Sequence, residues 1–241
     1  MLIGRYFKNL DPKFKNHFFS GLTFNSKLCK KNNIFFAIRG TNQNGNKFIN
    51  EALKRGARTI VSDKKFQGFK KKVLYLKHQN VRKILAKMAH KVFSKKPKNL
   101  TAVTGTNGKS SIANFYFQIL KLNKKKVASI GTLGIQTNSK NIIASNTTLD
   151  PVQLGQQLKK IKEKNIDYVI LEASSHGLKQ NRLDGLQFKT AIFTNLSHDH
   201  LDYHKNFSDY LNSKLYLFKK LLKKRSKIIA DTSIPEFKKI K

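Results

Sequence analysis

The run Gly105-Thr106-Asn107-Gly108-Lys109-Ser110 packs two glycines, a lysine and two hydroxyls into six residues. Thr101-Ala102-Val103-Thr104 before it reads as a strand, and Ile112 to Leu122 after it as a helix. Where a strand hands over to a helix through such a turn, successive backbone N–H groups and the helix N-terminus converge on a phosphate. Lys109 is spaced to reach outer phosphates, and Ser110 to offer its hydroxyl to Mg2+. The strict pattern G-x-x-x-x-G-K-[ST] asks for glycine at 103, where this chain has Val103. The plain alternative is a glycine turn followed by a surface lysine.

Three further places hold residues of chemical interest. Glu172 follows the apolar run Tyr168-Val169-Ile170-Leu171, so its carboxylate projects at the C-terminal end of a buried strand. Ligands of open α/β sheets collect at that edge, where the glycine loop also opens. His198, Asp199, His200, Asp202 and His204 form a dense polar cluster after the apolar run Ala191 to Thr194. Taken alone, such a cluster is equally a solvated loop, a hydrogen-bond network or a ligand set. Lys214 falls at the edge of the helical stripe Leu211, Leu215, Phe218 and Leu222. Its stem then covers apolar surface while the ammonium reaches water, or burial lowers its pKa and leaves a neutral amine able to capture CO2.

The elements that must position these groups divide in two. Up to residue 96 the chain reads as a small α/β unit, with strands at Ile34 to Ile38, Thr59 to Val61 and Val73 to Leu76. Helical spacing runs from Phe48 to Gly56 and from Val81 to Phe93. The polar, proline-broken stretch Ser94 to Asn99 marks a boundary, giving expected domains 1–96 and 97–241. From Leu100 strands alternate with helices, the mark of a parallel sheet with crossover helices. Strands fall at Leu100 to Thr104, Val127 to Ile130, Tyr168 to Leu171, Ala191 to Thr194 and Ile228 to Ala230. The remaining helices are Val152 to Lys164 and about Ser208 to Lys224. The fold class is therefore α/β: a small N-terminal α/β domain followed by a phosphate-loop domain on a parallel sheet.

Composition narrows the setting. With 39% hydrophobic residues in 241, real cores are available, and no apolar run approaches the roughly 20 residues of a spanning helix. The start, Met-Leu-Ile-Gly-Arg-Tyr-Phe-Lys, lacks a secretory pattern, and a single cysteine, Cys29, cannot form an internal disulfide. These point to a cytoplasmic protein without a membrane partner. The net charge of +36 invites a nucleic-acid reading. However, the basic residues comprise 42 lysines and seven arginines, scattered along the chain. Arginine is the bidentate reader of phosphates and bases, so compositional drift toward lysine, asparagine, isoleucine and phenylalanine explains the charge better.

Thr104 to Ser110 resembles the shortened phosphate loop of the Mur ligases and their relative folylpolyglutamate synthetase. Three further segments resemble the Mur ligases that add the third peptide residue: Asn146-Thr147-Thr148-Leu149-Asp150-Pro151, Leu171-Glu172-Ala173-Ser174-Ser175-His176-Gly177-Leu178, and Thr194 to His204. The resemblance runs from about residue 20 to the end, in the expected order. It implies ATP bound by Gly105, Thr106, Asn107, Gly108, Lys109, Ser110 and Ser111, and Mg2+ held by Ser110 and Glu172. It also implies a second metal ion on His200 and on Lys214 as its carbamate, the lysine standing in a matching Lys-x-x-Leu-Phe context. Lys109, Lys214 and His200 are then the catalytic set. Thr147, Thr148, Ser174, Gln180 and Arg182 match positions that grip a UDP-N-acetylmuramoyl-dipeptide, and Arg182 suits a carboxylate because its fork is bidentate. Ser26 matches a position near the uridine, within a segment where Asn25 and Lys27 depart from the family's pattern.

The implied reaction is an ATP-dependent amide ligation through an acyl phosphate, with meso-diaminopimelate as the expected incoming amino acid. The resemblance places residue 241 inside the ATP-binding domain, so the later strands and the C-terminal domain that selects this amino acid are expected to be absent. Little ligase activity is then expected of the chain by itself. A folylpolyglutamate synthetase would share the phosphate loop but leave the N-terminal domain and Asn146-Thr147-Thr148 unexplained. A basic nucleic-acid-binding module would leave every motif idle.

Overall fold

Strands buried on both faces read as unbroken apolar runs, and two parallel sheets here are built from such runs. The computed structural model describes residues 1–7, 10–40, 43–143 and 146–240. The chain forms two compact units, Met1–Val92 and a second from Phe93 onward. The division falls just before the polar stretch at 94–99. Phe93 belongs to the second unit because its ring packs against Gly155, where an added Cβ would meet Cδ2 at 2.7 Å.

In the first unit, β1 (Gly21–Thr23), β2 (Asn33–Phe36), β3 (Thr59–Ser62), β4 (Gly68–Lys70) and β5 (Val73–Lys77) form one sheet in the order β1-β2-β3-β5-β4. Every pairing is parallel except β4 with β5. The helices are α1 (Ile49–Lys54) and α2 (Val81–Val92). Phe35, Ala37, Ala52, Ala57 and Ile60, all fully buried, lie at the centre of one core cluster.

In the second unit the strands are β6 (Asn99–Thr104), β7 (Val127–Gly131), β8 (Gly134–Thr137), β9 (Lys140–Ile142), β10 (Tyr168–Glu172), β11 (Phe188–Phe193) and β12 (Leu222–Ala230). They are ordered β12-β11-β6-β10-β7-β8-β9. The first five run parallel, and β8 and β9 close one edge as an antiparallel hairpin. The helices are α3 (Lys109–Leu122), α4 (Pro151–Glu163), α5 (Ser175–Lys179), α6 (Phe207–Lys220) and α7 (Phe237–Ile240). Caps fix several starts. Asp150 accepts from the N–H groups of Val152 and Gln153 ahead of Pro151, Ser174 from Gly177, and Asn206 from Asp209. A core of Leu154, Leu158, Val169, Phe188, Ala191 and Leu217, each fully buried, fills this unit.

Register sets the functional edge. Glu172 pairs with Val103, Leu171 with Ile130, and Phe193 with Thr104, so β6, β7, β10 and β11 all end at one rim. The chain leaves β6 through α3 for β7 on one side, while β10 is followed by β11 on the other. The reversal flanks β6, and a crevice opens there.

Two expectations change. The helix expected to reach Lys224 stops at Lys220, and Leu222–Ala230 is a strand where only Ile228 to Ala230 was expected. Leu215, Leu217 and Leu221 are buried, but beyond Leu221 the residues turn outward along a sheet edge. An edge strand tolerates lysines facing solvent, and its pairing with β11 shifts register between Phe188 and Thr190. The hairpin β8–β9 and the short strands β1 and β4 were not expected from the sequence. Among the described residues, no helix is long and apolar enough to cross a membrane.

Candidate active site

The loop after β6 is held to the segment after β11 before any ligand arrives. Thr106 N–H donates to Asn195 O at 3.0 Å and Asn107 N–H to Asn195 Oδ1 at 2.9 Å, while Thr194 Oγ1 donates to Asn107 O at 2.7 Å. Gly105 has φ +150°, and a Cβ there would run into the Thr194 hydroxyl. Only glycine lets the loop lie this close to β11. The first N–H groups of α3 have no partner within the helix, and its first three residues line the cleft described below.

Lys109 folds back over the loop, its Nζ donating to Gly105 O at 3.0 Å and Thr106 O at 2.6 Å. Burial lowers its pKa, while the charges of Glu172 and Asp199 oppose that fall. Ser110 Oγ donates to Glu172 Oε2 at 3.0 Å. Glu172 is only 2% exposed. Its Oε1 accepts from Thr132 N–H at 2.9 Å, and its Oε2 also accepts from Thr132 Oγ1 at 3.2 Å. Gly131 makes this possible, because a Cβ at that position would overlap the Glu172 carboxylate.

A second chain of contacts runs from Glu172 along the crevice. Thr148 Oγ1 donates to Glu172 O at 2.8 Å and lies 3.0 Å from Ser174 Oγ, while Thr147 Oγ1 is 3.1 Å from Thr132 Oγ1. The Arg182 guanidinium donates to Thr148 O at 2.5 Å and to Gln180 Oε1 at 2.9 and 3.2 Å. Gln180 Nε2 donates in turn to Tyr203 OH at 3.0 Å. Ser26 belongs to the first unit, where its hydroxyl donates to Glu51 Oε2 at 2.6 Å.

The histidine cluster separates into distinct environments. His204 is 1% exposed, its Nε2 3.0 Å from Ser175 Oγ and its Nδ1 3.6 Å from Asp209 Oδ2. Burial first, then the Lys179 charge, lowers its pKa. His200 is exposed, in a left-handed backbone conformation with φ +54°, its ring edge-on to His176 at 4.9 Å. His176 stacks on Tyr203 at 3.9 Å.

Lys214 is 1% exposed, which overturns the reading of an ammonium reaching water. Its Nζ donates to Gly105 O at 2.6 Å and sits 4.2 Å from the Tyr210 ring centroid. Burial, helped by the Lys109 charge and opposed by Asp199, brings its pKa down from 10.5 to about 7.

These groups surround one cleft of about 300 Å³, lined by residues 106–111 with Thr132, Thr147, Glu172, Ser174, Ser175, His200 and Lys214. Gln180 and Arg182 stand behind it, through Thr148. Among the described residues, no group of three or more His, Cys, Asp and Glu side chains is gathered to hold a metal. The oxygen pair Ser110 Oγ and Glu172 Oε2 nevertheless suits Mg2+. Their 3.0 Å separation is the edge of an octahedron with bonds of about 2.1 Å, and Mg2+ completes such sites with phosphates and water. Sequence reasoning missed Thr132, Asn195 and Tyr210. Thr132 and Asn195 follow the C-terminal ends of parallel strands, a signal that would have flagged both.

A glycine loop between strand and helix on a parallel sheet, with a buried carboxylate across its mouth, defines a phosphate-loop α/β domain. The sequence carries this further. Residues 103–240 match the Mur ligase middle domain and residues 19–93 the model described as Mur ligase family, catalytic domain, so the chain belongs to the Mur ligase family. It is 41% identical over 237 residues to the UDP-N-acetylmuramoyl-L-alanyl-D-glutamate--2,6-diaminopimelate ligase of Rickettsia prowazekii, covering 97% of this chain and 49% of that one. A solved structure of a ligase of the same name, at 26% identity, superposes with TM-score 0.84 over 100% of this chain and 49% of the other. The MurF ligase of Thermotoga maritima in complex with ADP gives 0.56 at 20% identity, covering 90% and 47%, a likeness of fold. The chain spans about half the length of the curated relatives it matches.

Proposed function

We propose that this chain carries the nucleotide-handling and UDP-substrate-handling parts of an ATP-dependent ligase that extends UDP-N-acetylmuramoyl-L-alanyl-D-glutamate with meso-diaminopimelate in peptidoglycan synthesis. The observation that carries the reading is the Ser110–Glu172 pair at the mouth of the phosphate loop. The N–H groups at the start of α3 bind phosphate oxygens of ATP. Lys109 leaves the carbonyls of Gly105 and Thr106, and its ammonium takes up the outer phosphates.

Ser110 and Glu172 are the residues that would hold Mg2+, and His200 with the carbamate of Lys214 would hold a second ion. When bound, these ions supply positive charge that offsets the charge spread over the transferring phosphoryl group. A Lys214 pKa of about 7 leaves a fraction of neutral amine at physiological pH, which adds CO2 to give the carbamate and releases a proton.

The γ-phosphoryl group passes to the D-glutamyl carboxylate, and the amine of the incoming amino acid then displaces phosphate to form the amide. Thr147 and Ser174 present hydroxyls toward the dipeptide, while Thr148, buried and bonded to Glu172 O and Ser174, holds them from behind. Arg182 grips its carboxylate by exchanging one of its present bonds to Thr148 O or Gln180 Oε1. Ser26 serves the uridine end.

The test is equilibrium binding of radiolabelled UDP-N-acetylmuramoyl-dipeptide to the purified chain, with and without Mg-ATP. Saturable binding that tightens with Mg-ATP is expected. No affinity under either condition, alongside tight and steeply salt-sensitive binding of nucleic acid, would overturn the reading.

A further inference from the structure

Two residues one helical turn apart on α6 reach consecutive residues of the phosphate loop. Lys214 Nζ donates to Gly105 O at 2.6 Å, and Tyr210 OH lies 3.0 Å from Thr106 Oγ1. Tyr210 is fully buried, and its ring forms the seat beneath the Lys214 ammonium. Thr106 Oγ1 also accepts from Ser197 N–H at 3.0 Å and donates to Ser197 O at 3.3 Å. A hydroxyl offers one donor and two acceptor positions. Either hydroxyl can donate in the Tyr210–Thr106 bond, and in both directions it ties Thr106 to α6.

We infer that Tyr210 is a positioning residue for the phosphate site. Its hydroxyl locks Thr106 between α6 and the segment after β11, and its ring holds the Lys214 amine against Gly105. The loop is thus prearranged from behind by a side chain that never meets the nucleotide. Thr106 N–H and Asn107 N–H are already bonded to Asn195, so the Tyr210 bond completes the bracing of the loop's first half. The free amides at the start of α3 are then presented in one orientation. For the part that concerns nucleotide, this inference rests on the function proposed above.

The experiment uses the full chain with Tyr210→Phe, Thr106→Val and the double variant. Tyr210→Phe keeps the ring and removes one hydroxyl, so the fold is retained. Amide hydrogen exchange read without ligand is expected to rise about tenfold at residues 106 and 107, whose N–H groups are bonded to Asn195, in Tyr210→Phe and to stay unchanged in β10 and α4. Mg-ADP affinity is expected to fall about tenfold. In the Thr106→Val background the same change is expected to alter affinity less than twofold, because its partner is already gone. A residue that merely fills space would give multiplying effects and exchange raised throughout the unit. Unchanged exchange at residues 106 and 107, or losses that multiply in the double variant, would overturn the inference. Raised loop exchange in Tyr210→Phe with no Mg-ADP binding by the wild-type chain would support the bracing and count against the nucleotide reading instead.

Discussion

Ser110 and Glu172, sixty-two positions apart in sequence, meet through a 3.0 Å hydrogen bond at the rim where β6 and β10 end. Adjacent parallel strands in register bring them together, one on the first turn of α3 and the other as the last residue of β10. Two donors from Thr132 hold the carboxylate from the other side, so its orientation is set without a ligand. This prearrangement is what a metal-nucleotide site requires, since ordering the carboxylate on binding would weaken affinity.

Glu172→Gln tests the charge in that arrangement. The amide keeps the shape, but one of its two positions becomes a donor facing Ser110 or Thr132, which costs about 1–3 kcal/mol of stability. The expected outcome is a folded protein with a lower denaturation midpoint whose nucleotide binding no longer responds to Mg2+. Urea denaturation and titration with ADP at varied Mg2+ check both parts.

Gly131→Ala tests the space. The new Cβ would overlap the Glu172 carboxylate, and crowding of this kind costs about 1–3 kcal/mol. Because the displaced group is a proposed metal ligand, Mg-ADP affinity is expected to fall along with stability. A variant as stable as the wild type with unchanged Mg-ADP affinity would show that the carboxylate has room elsewhere.

Arg182→Lys separates a fork from a point charge. The guanidinium serves Thr148 O and Gln180 Oε1 together, and a lysine cannot hold both in one plane. About 1 kcal/mol of stability and a severalfold loss of UDP-dipeptide affinity are expected, with Mg-ADP affinity nearly unchanged. Parallel binding titrations of the two ligands read the split.

Lys214 gives the pH dependence its sign. Its folded pKa of about 7 lies below the ordinary 10.5, so between those values the unfolded chain binds the extra proton. Stability therefore rises with pH across that window and is lowest below pH 7, where the buried ammonium carries its full penalty, on the order of a few kcal/mol. His204 adds the same direction at lower pH. Its folded pKa is lowered by burial, so stability falls as pH drops below the ordinary histidine value of 6.5. Lys214→Met is expected to flatten the slope between pH 7 and 10, measured by chemical denaturation at several pH values.

Much of the site was legible because its members are tied to strand ends. Lys109, Ser110 and Glu172 each follow an apolar run that must be buried, and the loop between β6 and α3 needs its glycines locally. The parallel character of the second unit's sheet was readable for the same reason, though not the order of its strands. What escaped the sequence depends on contacts formed across the fold. Tyr210 looks like one more apolar position on α6 until the helix is docked against the loop. Lys214 was placed at the edge of a stripe, but docking buries it completely. The end of α6 was misjudged because the lysines after Leu222 suit an exposed helix face and an edge strand equally.

The proposed function requires the loop and Glu172 together to form a metal-dependent nucleotide site. Calorimetric titration of the purified chain with ADP, in Mg2+ and then in excess chelator, tests it most directly, with Ser110→Ala and Glu172→Gln alongside. Saturable binding in Mg2+ that weakens at least tenfold on chelation is expected, with no such metal dependence in either variant. Binding equally tight with and without Mg2+, or unchanged by both substitutions, would contradict it.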